Sequence, residues 1–456
     1  MKNQKTLFMF GKYVSLNVIA MIGLSCYILA DTFFVANGVG VNGLTALNLA
    51  IPVYSFINGL GLMVGIGGGT KYAIYKAQNN DRAANEIFTH AAVMGAAVGI
   101  LFLAAGIVGS SALSRLLGGD QVTFGMTNTY LKTLMCFAPA FILNNVLVAF
   151  VRNDGAPNLS MAAMLAGSIS NIILDYIFIF PFKMGMFGAA FATGLAPVIS
   201  MIVLSGYFRR HRNQFHLIRC KINTAYFKTV SALGIASLIT EVSSGIVIIV
   251  FNTVILTLEG NLGVAAYGII ANLALVATAI FTGVAQGVQP LVSESYGSGK
   301  EENITRYIRY AVITSLAAAV VLFSVIWLFA APVSAVFNNE NNAVLGELAV
   351  SGLRIYFTGF FFAGLNIVLA SWFSSVEKPI QSFTISILRG CVLIIPILLL
   401  LSAQMEIQGV WLTYPLAEML TFILALAAVR KSSRAKKSGR KLDNSLQMDE
   451  NGRESI

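Results

Sequence analysis

Two acids stand where an apolar chain tolerates few. Asp31 and Asp175 each interrupt a stretch that is otherwise hydrophobic and long enough to cross a bilayer. A carboxylate at such depth costs roughly 2.5 to 3.5 kcal/mol on insertion scales, so an acid retained there marks an ion or proton pathway. Asn171 precedes Asp175 by four residues, which puts both on one helical face, a turn apart. Counting inward from the polar ends of the stretches at about 1.5 Å per residue sets Asp31, Asp175 and Thr193 at one depth, roughly 9 to 10 Å below the outer surface. Two carboxylates, a carboxamide and a hydroxyl at one level supply oxygens suited to a hard cation or a shared proton. Buried together, the two acids cannot both stay ionised cheaply unless a proton or cation neutralises one. Asn or Ser would tie helices together at lower cost, which favours the ion reading over a purely structural one. Glu241 is the leading buried acid of the second half, near mid-membrane, and is a candidate second proton site or attractor of a cationic substrate. Glu418 also lies within an apolar stretch, with no partner evident; Glu259, Glu377 and Glu406 fall near predicted ends.

The elements that must position these groups are membrane helices. Of 456 residues, 57% are hydrophobic and 11% charged, with a mean hydropathy of +0.77; soluble domains carry roughly 25% charged residues. Apolar segments of about 20 to 28 residues can each span a hydrocarbon core of roughly 30 Å as a helix. Strand alternation is absent, which excludes a porin-type barrel. Hydropathy predicts twelve spans, near 13–36, 45–70, 84–109, 127–150, 157–181 and 186–208, then near 229–257, 263–290, 306–330, 344–371, 380–402 and 407–429. The domain reading is an N-terminal six-helix lobe over 1–208, a basic linker over 209–228, a C-terminal six-helix lobe over 229–429 and a disordered tail over 430–456. With the N-terminus in the cytoplasm, 26 of the 30 lysines and arginines fall on the cytoplasmic side, so the positive-inside rule places both termini in the cytoplasm of a multi-pass cell-membrane protein. The net charge of +10 follows from that topology, and nucleic acid is not an expected partner. The basic tail could meet anionic membrane lipid, each charge contributing about 1 kcal/mol.

The two sets of six match at offsets of 221 or 222 residues. Gly61 and Gly65 fall on Gly283 and Gly287, Pro157 on Pro379, Gly188 on Gly409, and Asp31-Thr32 on Asn252-Thr253. An even number of spans per half keeps both halves in one orientation, which predicts two six-helix lobes related by a pseudo-two-fold axis along the membrane normal.

These residues resemble the multidrug and toxic compound extrusion (MATE) family over about residues 10–430. The resemblance rests on Ala-Asp31-Thr-Phe-Phe-Val, on Asn171-Ile-Ile-Leu-Asp175 with Thr193 following, and on Gly283-Val-Ala-Gln286-Gly287-Val-Gln289-Pro290. It implies an all-α, V-shaped, twelve-helix exporter of amphipathic, often cationic small molecules, driven by inward-moving protons or sodium ions. Carried over by motif, Asp31, Asn171, Asp175 and Thr193 would form the cation site, and Glu241 resembles an acid that some members place in a second-lobe site. The usual partner of that acid is missing, since Ile355 to Ser371 contains no acid. A flippase for a lipid-linked saccharide is the alternative within the wider superfamily; it would favour more cationic cleft residues than Lys132, Arg354 and Arg389.

Other signals are weaker. The four cysteines, Cys26, Cys136, Cys220 and Cys391, form neither a disulfide framework nor a zinc spacing, and His90, His211 and His216 do not cluster. No metal site and no cofactor are expected beyond the coupling ion. Gly297-Ser-Gly-Lys300 fails as a phosphate loop because Glu294 and Glu301 occupy required Gly and Ser/Thr positions. No nucleophile, base or metal set of a membrane-embedded enzyme is visible, and a monomeric transporter is the expected form. Lys2, Lys5 and Lys12 before the first span suggest a signal leader, but the span is too long and holds Asp31, so an uncleaved helix is predicted. Gly61-xxx-Gly65 is read as helix packing, and Phe360 to Phe362 as mainly lipid contact.

Overall fold

The structure, a computed structural model, describes residues 2–337 and 342–453, with side chains described for 4–337 and 342–430. In hydrocarbon every backbone polar group needs an internal partner, so an apolar chain folds into helices. The elements are α1 (Lys2–Gly38), α2 (Val41–Ala77), α3 (Asp81–Leu116), α4 (Phe124–Cys136), α5 (Ala138–Asn153), α6 (Pro157–Ile179), α7 (Gly185–Arg209), α8 (Thr224–Gly297), α9 (Glu301–Phe337), α10 (Ala343–Tyr356), α11 (Phe360–Ser375), α12 (Pro379–Ile387) and α13 (Ile394–Arg453).

Among the described residues nine helices are long and apolar enough to cross a membrane, and α4 with α5 makes a tenth crossing bent by 46°. Pro139, near the start of α5, lacks the N–H that would continue the ladder through the bend. Two of the nine are too long for one passage: the 74 residues of α8 would measure about 111 Å at 1.5 Å per residue. Each breaks where a residue takes a left-handed φ, Gly260 at 61° in α8 and Glu406 at 49° in α13. Gly260 does so without a side-chain penalty. Counting each broken helix as two passages gives the twelve spans expected from hydropathy. Crossing ten is α10 and α11 joined by a 3-10 turn, Phe357–Gly359, and crossing eleven carries a π-helical turn, Leu388–Val392, after α12. The tail beyond Arg430, expected to be disordered, lies outside the residues whose side chains are described.

The six crossings of the first lobe pack around one cluster holding Val35, Leu47, Ile57, Leu131 and Ile142, and a second holding Val64, Ile87, Phe150 and Leu204. The second lobe buries Phe251, Ile270, Phe281, Leu398 and Trp411 together. A further cluster spans both lobes, with Phe10, Tyr13 and Val14 of α1 against Val284, Val288 and Leu291 of α8.

The lobes meet along a tight seam at the membrane face that carries the N-terminus and most basic residues, termed the basic face below. A Cβ on Gly67 would sit 2.0 Å from Val230 O, and one on Gly234 1.8 Å from Met63 O. Gly283 and Gly287 also lie close, a Cβ on each falling 2.6 Å from Val18 Cα and 2.7 Å from Val14 Cα. Gly61 and Gly65 pack instead on Asn145 inside the first lobe. Polar bonds cross the same seam: Arg152 Nη1 donates to Gln286 Oε1 at 2.8 Å, Gln289 Nε2 to Thr70 Oγ1 at 3.0 Å, and Lys71 Nζ pairs with Glu377 Oε1 at 2.5 Å. These bonds all lie on the basic side of Glu241.

The linker between the lobes is a strap on the first lobe rather than a slack connection. Phe215 is fully buried among the rings of Tyr72, Phe88, Phe150 and Phe208. Asp154 accepts from Tyr72 Oη at 2.5 Å, Tyr207 Oη at 2.9 Å and Gln214 N at 2.9 Å. Burial nevertheless raises the Asp154 carboxyl above its ordinary value. His216 N donates to Asn85 Oδ1 at 2.7 Å, Ile218 N to Thr89 Oγ1 at 3.1 Å and Asn223 N to His90 Nε2 at 3.0 Å. α8 then begins at Thr224, so the last residues of the 209–228 linker are already helical.

Candidate ion-binding site

Continuous helices carry the acids inward from the face opposite the basic one. Asp31 lies two turns before the end of α1, Asp175 one turn before the end of α6, and Thr193 two turns after the start of α7. All are buried: Asp31 is 7% exposed, Thr193 4%, and Asn171 and Asp175 0%. The structure brings the four together. The Asp31 and Asp175 carboxyls face each other within hydrogen-bond reach. In the amide orientation that satisfies both ends, Asn171 Nδ2 donates to Asp175 Oδ2 at 3.0 Å and its Oδ1 accepts from Thr193 N at 3.3 Å.

Two oxygens remain unpartnered, Asp31 Oδ1 and Asp175 Oδ1, both out of contact with solvent. A buried carboxylate oxygen without a donor is costly, and a proton or a monovalent cation between the acids would supply what it lacks. Oxygen-only donors suit such a hard ion. No set of three or more acids, histidines and cysteines forms among the described residues, so the cluster offers the charge of two carboxylates and no more.

Sequence reasoning missed the tyrosines. Tyr130 of α4 is 4% exposed; its hydroxyl stands near the Thr193 side chain and faces both acids. Tyr27 and Tyr54 hydroxyls lie 2.8 Å apart, Tyr27 within electrostatic reach of Asp31 and Tyr54 within reach of both Asp31 and Glu241. A tyrosine inside an apolar span needs a partner for its hydroxyl, and that was the available signal.

Glu241 does not join this cluster. Its Oε2 accepts from Asn58 Nδ2 of the first lobe at 3.4 Å, and Asn58 Oδ1 accepts from Asn145 Nδ2 at 2.9 Å. It therefore sits on the seam between lobes, where the tight contact ends. Among the described residues, the acid buried within the second lobe is Glu418, 1% exposed, paired with Arg389 at 2.7 Å.

Comparison with known proteins agrees with this architecture. The MatE family model matches residues 17–177 and 233–400, one stretch in each lobe. The chain is 26% identical over 388 residues, 85% of each protein, to the multidrug export protein MepA of Staphylococcus saprophyticus. Among solved structures, a MATE in complex with MaL6 superposes with a TM-score of 0.89 at 23% identity, covering 94% of this chain and 97% of that one. An outward-facing multidrug resistance MATE family transporter of the MOP superfamily gives 0.88 at 24% identity, with coverage of 94% and 97%.

Proposed function

Because the chain belongs to the MATE family, a family of membrane transporters and not of enzymes, we propose that it exports amphipathic, often cationic compounds in exchange for protons or sodium ions. The carrying observation is the pair of facing acids, Asp31 and Asp175, each with a buried oxygen that lacks a donor. A named multidrug exporter of similar length supports the substrate class.

In this reading the basic face is the cytoplasm, in keeping with the positive-inside rule, and the chain works as a monomer in the cell membrane. The closed basic seam then describes a state in which the lobes part toward the exterior. Cation or proton entry from outside reaches Asp31 and Asp175; substrate release follows if the ion binds one lobe arrangement more tightly than the other, since equal affinity shifts nothing. Asn171 and Thr193 hold Asp175 in place, and the Tyr130 hydroxyl faces the acids beside them. Glu241, at the seam, faces the substrate path and supplies negative charge for a cationic compound. One charge moving through 100 mV yields about 2.3 kcal/mol, enough for a substrate gradient of tens of fold. A flippase for a lipid-linked saccharide would need cationic groups for a pyrophosphate, whereas the acids dominate here and Arg389 is committed to Glu418.

Proteoliposome uptake of a fluorescent organic cation tests the proposal. Wild type is compared with Asp31→Asn and Asp175→Asn under separate proton and sodium gradients, which also decides the ion. Each variant is expected to lose gradient-driven exchange; undiminished exchange in both defeats the assignment.

A further inference from the structure

The second lobe holds a buried polar cluster that the proposed cycle does not use. Glu418 of α13 and Asn366 of α11 are 1% and 0% exposed. Asn366 Nδ2 donates to Glu418 Oε2 at 2.7 Å and to the Glu418 backbone oxygen at 2.9 Å, while Asn366 Oδ1 is buried with no partner. Tyr414 lies one turn from Glu418, its ring stacked on Tyr356 at a centroid distance of 4.3 Å. A carboxylate, a carboxamide with a free oxygen and a phenol are close to the donor inventory of the first lobe: acids, Asn171 and a hydroxyl.

The difference is what fills the space. Arg389 Nη2 donates to Glu418 Oε1 at 2.7 Å and Nε to the same oxygen at 3.2 Å, and the guanidinium stands beside the Tyr414 side chain. Arg389 reaches this point from the π-helical turn Leu388–Val392. Such a turn inserts one residue into a helix and re-aims the side chains around it, and it recurs at functional sites.

We propose that Glu418, Asn366 and Tyr414 form a second cation site that the chain occupies itself, with Arg389 as a tethered cation. The second lobe then exchanges no ion, and the transporter carries a single exchangeable ion site, in the first lobe. The second clause rests on the function proposed above; the first does not. Freed of Arg389, the cluster takes up a proton or a sodium ion.

The test uses purified full-length protein carrying Asp31→Asn and Asp175→Asn, so that the first-lobe site is silent whatever its role. Into this background go Arg389→Gln, Arg389→Lys, and Arg389→Gln with Glu418→Gln, with size exclusion and thermal melts confirming the fold. Proton uptake is read with a pH electrode in weakly buffered detergent, and sodium binding with radioactive sodium. Arg389→Gln is expected to gain about one bound proton or sodium ion per protein, and the other two variants none. The doubly neutral variant carries no buried charge at this point, so it keeps the test valid if a single change unfolds the lobe: it is then placed in the otherwise wild-type chain. Unchanged transport stoichiometry there supports a self-occupied site; loss of one ion per cycle overturns it, as does a folded Arg389→Gln that gains neither ion.

Discussion

Adding a methyl group at Gly67 should open the basic face. An ordinary contact needs at least 3.4 Å, and the new Cβ would lie 2.0 Å from Val230 O, so the seam must widen by about 1.4 Å to admit it. No rotamer change relieves the clash, because the opposing atom is backbone carbonyl. Overpacking of this kind costs about 1–3 kcal/mol, and only the closed seam bears it, since parting of the lobes on this side removes the contact. A differential of that size shifts a two-state equilibrium by about 5- to 150-fold. Spin labels at Gln78 and Lys300, both exposed at the basic ends of α2 and α8, would report it by double electron–electron resonance in nanodiscs, in a chain whose four cysteines are replaced by serine. The Gly67→Ala distribution should move to longer distances. Gly61→Ala serves as the control, because its Cβ would meet Asn145 and Ile142 inside the first lobe and strain the fold without prying the lobes apart. A lowered melting temperature in Gly67→Ala with an unchanged distance distribution would refute the reasoning, since the clash would then be absorbed without movement.

Three further outcomes are expected. Tyr130→Phe removes the hydroxyl that faces Asp31 and Asp175, so the ion concentration for half-maximal exchange should rise about 2- to 10-fold if that hydroxyl serves the bound ion with a bond worth about 0.5–1.5 kcal/mol, with the maximal rate retained. Phe215→Ala empties a fully enclosed ring position; a loss of about 3–5 kcal/mol should appear as a lower melting temperature and faster hydrogen exchange across residues 214–218. At the opposite face, Thr123 N at 2.8 Å, the Thr123 hydroxyl and Val122 N hold the Asp120 carboxyl below its ordinary range. The stabilisation of that turn is therefore complete above the unfolded value of about 3.9 and is lost as pH falls toward the lower folded value. Amide exchange relative to intrinsic rates at residues 122–124 should accelerate over that interval in wild type and stay flat in Asp120→Asn.

Counting along single helices put Asp31, Asp175 and Thr193 at one level with Asn171 a turn away, and the four come together in the structure because they lie on regular α-turns whose rise is fixed. The twelve spans were readable for the same reason, although hydropathy gave no hint that the fourth is bent at Pro139. Register between helices was not readable. Glu418 looked partnerless in the sequence because Arg389 lies 29 residues away and is aimed at it by a π-turn that no periodicity announces. His90 stood out in the sequence only as a histidine outside any cluster; its Nδ1 meets Glu86 O at 2.7 Å while Nε2 fastens Asn223, a pairing set by how the strap folds back. Tyr130 was hidden because an aromatic residue in an apolar span has the same pattern whether it lines a core or an ion site. The position of Glu241 on the seam follows from how two lobes dock, which a self-similar sequence does not encode locally.

The strap carries a mechanical consequence. Its final anchors, Asn223 on His90 and Tyr226 on Glu86 at 2.9 Å, bolt the foot of α8 to the first lobe, and the helix rises from there without slack until Gly260. Residues 224–259 thus form a lever about 54 Å long, at 1.5 Å per residue, with its fulcrum at the membrane face. A tilt of about 10° at that pivot would carry the far tip roughly 9 Å, so in the proposed cycle small rearrangements around Asp154 and His90 would become a wide swing at the other end of the lever.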